Sequence, residues 1–220
     1  MKVLITGSNG FVAQNLISTL EERKDVEILR FTRDDDVSRL DELTGQADFI
    51  FHLAGVNRPK DPADFKSGNA GLTQQLCDSI ARGGRRTPVI YSSSTQASQD
   101  NPYGLSKREA EDALSALAEQ HGSPVYLFRL PNVFGKWARP NYNSAVATFC
   151  HNINRGLPIQ INDPTAAITL VYVDDVVARF IELMDARSRT IGTAPSRRST
   201  ASPSAISPRS WKRSATAGRR

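Results

Sequence analysis

The sequence predicts an α/β protein built on a doubly wound parallel sheet. Three observations carry this. Short apolar runs alternate with amphipathic stretches at helical spacing from the N-terminus to about residue 186. The runs are apolar on consecutive residues, as strands covered on both faces require. The first run ends in a Gly-rich turn that opens a helix, Thr6-Gly7-Ser8-Asn9-Gly10. Ligands of such a sheet sit at the carboxyl ends of its strands.

The elements follow in order. KVLIT (2–6) is a buried strand closed by Gly7. FVAQNLISTLEER (11–23) places Val12, Leu16, Ile17 and Leu20 on one helical face. VEILRF (26–31) is a second strand. DFIFHLAG (48–55) is a third, ending in Gly55. The stretch from Arg33 to Asp48 is too short for a full strand–helix unit, so the sheet is expected to lack one strand. A helix spans roughly 69–82, and PVIYSSS (88–94) is a strand. Residues 102–122 form a helix with Pro near its start and Gly at its end. PVYLFRL (124–130) is another strand. Asp174 and Asp175 are expected to cap a helix from Val176.

Composition narrows the class. The chain has 220 residues, 39% apolar and 23% charged, in the range of soluble globular proteins. No apolar run is long enough for a membrane span, and the N-terminus lacks a signal peptide. Cys77 and Cys150 suit neither a disulfide framework nor zinc, so each is expected to be a small buried hydrophobe. No metal site is expected, and a reducing cytoplasm fits. The formal charge of +5 is uneven: residues 187–220 hold nine basic residues and no acid. The first 186 residues carry 19 basic residues against 23 acidic ones, a balance of −4. The body is therefore mildly acidic, and no nucleic-acid partner is expected.

The motifs point to dinucleotide chemistry. Gly7 and Gly10 give the tight turn and bare backbone that a pyrophosphate needs, and the helix from Phe11 supplies its N-terminus. Small residues at Leu53-Ala54-Gly55 let the adenosine side of a cofactor lie on the backbone. The fourth strand ends Ser92-Ser93-Ser94, followed by Tyr103 and Lys107 at i and i+4 on one helix face. A phenol near its free pKa of about 10 transfers protons poorly at neutrality, and a nearby ammonium is expected to lower it. A Ser hydroxyl can hold a substrate oxygen. His52 reads as a strand end with no partner motif.

TGxxGF, HLAG, SSS and YxxxK in this order resemble the extended short-chain dehydrogenase/reductases, a family of nucleotide-sugar epimerases, dehydratases and reductases with a Rossmann-type fold. PNVFG (131–135) and YVDDVV (172–177) resemble two further family motifs. HLAGVNRP (52–59), SSSTQASQDNPYGLSK (92–107) and the segment 129–153 are similar to the capsular-polysaccharide reductases on the route to UDP-N-acetyl-L-fucosamine. The resemblance implies NADPH-dependent reduction of the 4-keto group of a UDP-linked 2-acetamido-2,6-dideoxy hexulose. It also implies residue roles. Tyr103 is the acid/base, Lys107 its tuner and a ribose ligand, and Ser94 the hydroxyl partner, with Ser93 and Thr95 as alternatives. Gly7, Gly10, Phe11 and Val12 would line the pyrophosphate, and Leu53, Ala54 and Gly55 the adenosine side. Asn69 would stand near the cofactor and Asn132 near nicotinamide or sugar. Lys136, Arg139 and Asn141 are candidates for the UDP phosphates. A homodimer stays open.

Three departures stand out. Ala13 replaces the usual third Gly, Ile168 replaces an Arg of many relatives, and Ser94 lies close in sequence to Tyr103. Thr95-Gln96 occupies the place of the acidic pair of dehydratases, although an epimerase, a dehydratase or a non-catalytic NAD(P)-binding module remains an alternative. NADPH is preferred over NADH here because the second strand ends Arg30-Phe31-Thr32-Arg33 without the acid of NAD sites. Arg33 is the first candidate for a 2′-phosphate and Arg30 the second.

Residues 187–220 are rich in Arg, Ser, Ala, Thr and Pro and are expected to be disordered. GC-rich codons chosen for Thr193–Arg220 and read two bases later give VTLGDLPEVLEAFRDSR, which resembles the capsular reductases beyond YVDDVV. A shift of reading frame near residues 185–193 is therefore expected. The resulting chain would be a cofactor domain (1–186) with an incomplete C-terminal substrate domain and impaired turnover. Relatives carry a further C-terminal cupin domain, of which this sequence has no trace.

Overall fold

A computed structural model describes residues 1–161, 163, 165 and 167–191, with side chains to residue 187. Five parallel strands form the main sheet: β1 (Lys2–Thr6), β2 (Glu27–Phe31), β3 (Phe49–His52), β4 (Val89–Ser94) and β5 (Val125–Leu130), in the order β2-β1-β3-β4-β5. The helices are α1 (Phe11–Glu21), α2 (Arg39–Gln46), a single turn α3 (Ala63–Phe65), α4 (Leu72–Gly83), α5 (Pro102–His121), α6 (Ala145–Asn154) and α7 (Val173–Ile191). Two three-residue strands, β6 (Asn132–Phe134) and β7 (Leu170–Tyr172), pair in parallel as a separate sheet.

The alternation of the strands sorts the core into two clusters. Val3, Ile5, Phe49, Phe51 and Phe128 pack against α1 and α7. Leu4, Ile50, Val89 and Tyr91 pack against α2, α4 and α5. Both faces are covered, which is why the strands read as unbroken apolar runs. Helix α7 buries Val173, Val176, Val177, Phe180 and Met184, one face at helical spacing. Phe180 meets Phe128 edge-on at 4.9 Å. Arg23 pairs with Asp185 at 2.8 Å, and Arg187 bonds the Tyr126 hydroxyl of β5.

Several expectations change. The missing sheet strand is indeed absent between β2 and β3, but the chain there still forms α2. Asp174 and Asp175 lie inside the first turn of α7 and do not precede it, because Val173 already joins the core. Both carboxylates there still complement the helix dipole. The helix expected over 69–82 starts as a π-turn over Lys66–Gly71, for a reason given below. Cys77 is buried as expected, whereas Cys150 is exposed because α6 has no buried residue. Ala13 packs into the core, so the third Gly is replaceable here. The tail expected to be disordered from 187 begins instead within α7, which runs to Ile191 and whose Arg187 bonds Tyr126; the rest of that expectation, 192–220, lies outside the described residues.

Gly7 sits at φ +66°, and a Cβ there would lie 2.6 Å from the Ala54 Cα. Gly7→Ala should cost about 2–4 kcal/mol through strain and overpacking together. Gly45, inside α2 with open space around it, should instead gain about 0.5–1 kcal/mol on Gly45→Ala. Chemical denaturation of the two variants beside the wild type checks both signs.

Candidate active site

The carboxyl edge of the main sheet gathers most of the motif residues. Gly10 caps α1 in an extended conformation and its N–H donates to the Gly7 carbonyl at 2.8 Å. No side chain caps this end of α1 and no acid lies in its first turn. Its amides, from Phe11 and Val12 on, thus keep the partial positive charge that suits an anion. Both residues are half-buried against the core. The turn also presses on the loop after β3, where Gly7 meets the backbone of Leu53 and Ala54.

A buried relay ties these loops together. Thr6 Oγ1 accepts from the Ala54 N–H at 3.3 Å and lies 2.7 Å from His52 Nδ1. His52 Nε2 lies 2.8 Å from Thr73 Oγ1, which donates to the Asn69 carbonyl at 2.8 Å. Since Thr73 spends its proton on Asn69, the imidazole carries its hydrogen on Nε2 and accepts from Thr6 at Nδ1. Asn69 is buried. Its amide bonds both backbone groups of Val56, at 2.8 and 2.9 Å, and donates to Ser106 of α5 at 2.9 Å. Those bonds pull the backbone into the π-turn, so Asn69 is a clamp between the β3 loop and α5. Gly55 lies beside it, where a Cβ would stand 3.1 Å from Lys107 Nζ.

Helix α5 carries the remaining groups. Asn101 caps it, accepting from the Gly104 N–H at 2.8 Å. A 3-10 turn (Thr95–Ser98) folds the chain back between β4 and α5. Gly104 allows this, because a Cβ there would fall 2.3 Å from the Gln96 carbonyl. The short spacing from Ser94 to Tyr103 is therefore a compact turn that sets the Ser94 hydroxyl against the phenol. Ser93 faces away and donates to Glu111 at 2.5 Å. Lys107 is buried, donates to the Ser92 carbonyl at 3.0 Å and lies 4.8 Å above the Tyr91 ring.

The electrostatics depart from the sequence reading. Burial pushes the Tyr103 phenol up, and the Ser94 hydroxyl only partly offsets it. The lowering expected from Lys107 does not appear: burial, with Phe65 packed 5.6 Å from the Tyr103 ring, raises the phenol, and the group that opposes it is Ser94. Burial pushes Lys107 down to about 8, against a smaller upward pull from Glu111. His52 is pushed down to about 3, mainly by burial.

The outlying candidates separate from this cluster. Arg33 is exposed just past β2, while Arg30 pairs with Glu21 at 2.6 Å. Asp35 is occupied by the Thr32 N–H and hydroxyl, at 2.7 and 2.9 Å, and by Arg39. Asn132 lies exposed on β6, and its amide reaches the Thr169 carbonyl at 3.5 Å. Lys136 pairs with Asp174 at 3.6 Å, and its carbonyl accepts from Asn15. Arg139 and Asn141 are exposed on the following loop. Among the described residues, no hydrogen bond or ion pair links Lys136, Arg139 or Asn141 to the Tyr103 cluster. Sequence reasoning passed over Phe65, Tyr91 and Glu111, whose roles arise only from three-dimensional contact.

The model of the NAD dependent epimerase/dehydratase family matches residues 3–192. The chain belongs to that family. Among curated members, a UDP-2-acetamido-2,6-beta-L-arabino-hexul-4-ose reductase of Pseudomonas aeruginosa is 60% identical over 187 residues, covering 85% of this chain and 50% of that protein. A UDP-glucose 4-epimerase of Vibrio cholerae is 24% identical over 221 residues, covering 83% and 66%. Among solved structures, the capsular polysaccharide assembling protein CapF of Staphylococcus aureus matches with TM-score 0.75 and 42% identity, covering 90% of this chain and 52% of that one. A UDP-glucuronic acid 4-epimerase of Bacillus cereus in complex with NAD shares the fold at TM-score 0.74 and 19% identity, covering 84% and 74%. The chain thus spans about half the length of the reductase and of CapF. No helix among the described residues is long and apolar enough to cross a membrane.

The His52 environment yields a pH prediction. The folded group stays neutral down to about 3, while an unfolded His titrates near 6.5. Between those values the unfolded chain binds the extra proton, so stability falls as pH drops through this window. At pH 5 the loss is about 2 kcal/mol. His52→Gln should lower stability at pH 7 but flatten this acid dependence by that amount. Denaturant midpoints at pH 7 and 5 check it, and an equal slope in both proteins refutes it.

Proposed function

We propose that this chain carries the cofactor-binding and proton-delivering part of an NADPH-dependent reductase. Its substrate is the 4-keto group of a UDP-linked 2-acetamido-2,6-dideoxy hexulose, used in building surface polysaccharide. The observation that carries the reading is the Ser94 hydroxyl set against the Tyr103 phenol, with Lys107 buried one turn on along the same helix. The 60% identity to a reductase of a UDP-2-acetamido hexulose supports the substrate class.

The residues fit a dinucleotide. The uncapped amides at the start of α1 suit a pyrophosphate. Gly7, Gly10, Phe11 and Val12 would hold it, with Leu53, Ala54 and Gly55 along the adenosine side. The bound dinucleotide supplies the hydride to the carbonyl carbon. Ser94 then holds the carbonyl oxygen, and Tyr103 gives that oxygen its proton. Lys107 offers its ammonium to the cofactor ribose and to the phenolate left behind. Asn132, Lys136, Arg139 and Asn141 contact the nucleotide sugar. Residues 1–186 form the functional unit, and the enzyme works in the cytoplasm.

NADPH oxidation against a panel of UDP-4-keto sugars, in single turnovers at high enzyme concentration, tests the reading. Tyr103→Phe removes a proton and little volume. It should lower the rate at least about a hundredfold, with NADPH affinity unchanged. A variant with near-normal turnover overturns the assignment.

Arg33 sets the cofactor preference on this reading, because its guanidinium is exposed while Arg30 is engaged by Glu21. Arg33→Ala should cut the ratio of NADPH to NADH affinity about tenfold, the loss of a charge-assisted pair. Titrating both cofactors by nucleotide fluorescence measures it, and an unchanged ratio ends the idea.

A further inference from the structure

We infer that Glu111 is a positioning residue for the Tyr103–Lys107 pair, set one turn beyond Lys107 on the same face of α5 and locked there by Ser93 and Arg129. The inference rests on the proposed role of that pair. Residues 103, 107 and 111 recur at i, i+4 and i+8, so they form one stripe along the helix. Lys107 and Glu111 are each 5% exposed. A carboxylate buried to this degree needs dedicated partners.

Two strands provide them. Ser93 of β4 and Arg129 of β5 are register partners, so both side chains leave the sheet on the side that α5 covers. Ser93 donates to Oε1 at 2.5 Å. Arg129 donates through Nε at 2.9 and 3.1 Å, and through Nη2 at 2.5 Å. The carboxylate is thus fixed by two residues, while the Arg129 side chain stays half in solvent.

Among the described residues no hydrogen bond or ion pair joins Glu111 to Lys107, whose Nζ is spent on the Ser92 carbonyl and the Tyr91 ring. Glu111 therefore acts on Lys107 through its field, which is strong at one helical turn in a desolvated interior. The other titratable groups facing Lys107 are Tyr91 on β4, His52 on β3 and Tyr103 on α5. All three are neutral at neutral pH, since burial raises the two phenols and depresses the imidazole. Glu111 is then the anion that opposes the desolvation of Lys107, with Arg129 behind it tempering its charge. It keeps the ammonium protonated beside Tyr103.

The test reads Lys107 directly. Carbon-detected NMR of the full 220-residue chain follows the Lys107 Cε resonance with pH, assigned by its loss in Lys107→Arg. The wild-type midpoint is expected near 8. Glu111→Gln keeps the shape but removes the charge, and should lower the midpoint by about one pH unit. Glu111→Asp should restore it to within about 0.3 unit. Arg129→Met leaves the Glu111 charge uncompensated and should raise the midpoint. An unmoved midpoint in a folded Glu111→Gln chain overturns the inference, and so does a midpoint that Arg129→Met fails to raise. If Glu111→Gln does not fold, Arg129→Met decides alone. No sugar reduction enters the measurement, so failure of the proposed reaction and failure of this coupling are separate results.

Discussion

Two backbones meet at the carboxyl edge of the sheet, and the site depends on that contact. β1 and β3 are neighbours with Thr6 opposite His52, so the turns that follow them compete for the same space. A residue without Cβ at Gly7 resolves the competition, and the turn can then aim α1 at the sheet edge. From there a line of buried bonds runs outward. Thr6 holds Ala54 and His52, His52 reaches Thr73, and Thr73 and Asn69 share a turn whose amide grips Val56 and Ser106. The first strand and the helix bearing Tyr103 are thereby coupled. Thr6, His52, Thr73, Asn69 and Ser106 are all buried, so leaving any one of them unpaired costs about 1–3 kcal/mol, which is why the set stands or falls together.

Within this frame, desolvation competes with charge. A simple pairing argument has Lys107 depressing the Tyr103 phenol. The packed site reverses the emphasis: Phe65 and the surrounding core raise the phenol, the same burial lowers the ammonium, and Ser94 and Glu111 each oppose one of those shifts. Both groups move toward their neutral forms. The hydroxyl and the carboxylate are what hold the site nearer to a state in which a proton can pass.

The legibility of the sequence follows the same physics. The five strands were readable because both faces of each are covered, and consecutive Val, Ile, Leu and Phe report that directly. α5 was readable from Pro102 and Gly122, which mark its two ends. α7 was readable only at its start. Its acidic pair looked like a cap, whereas Val173 had already committed the helix to the core. β6 and β7 are too short for any periodicity to show. The π-turn was hidden because it is imposed by bonds between Asn69 and a loop distant in sequence. Tyr103 and Lys107 were readable as an i, i+4 pair on one helix, while Glu111 and His52 looked like ordinary helix and strand positions. Their significance comes from Arg129 and Thr73, which no local pattern connects to them.

The two sides of the site are held very differently. The dinucleotide side rests on buried strands and a relay of short bonds. The residues assigned to the sugar stand on β6 and an exposed loop, beside an α6 with no buried residue. Ile153, Leu157, Ile161 and Ile168 are all more than 45% exposed in this region. Orientation is the expensive part of a transfer between two bound molecules: a misplacement of about 1 Å can cost a hundredfold in rate. On the proposed reading, the dinucleotide side therefore sets affinity for cofactor and the loosely held sugar side sets the rate. The two quantities then respond to different parts of the chain: bonds around Gly7 and Asn69 govern the first, and whatever steadies β6 and the loop from Lys136 to Asn141 governs the second.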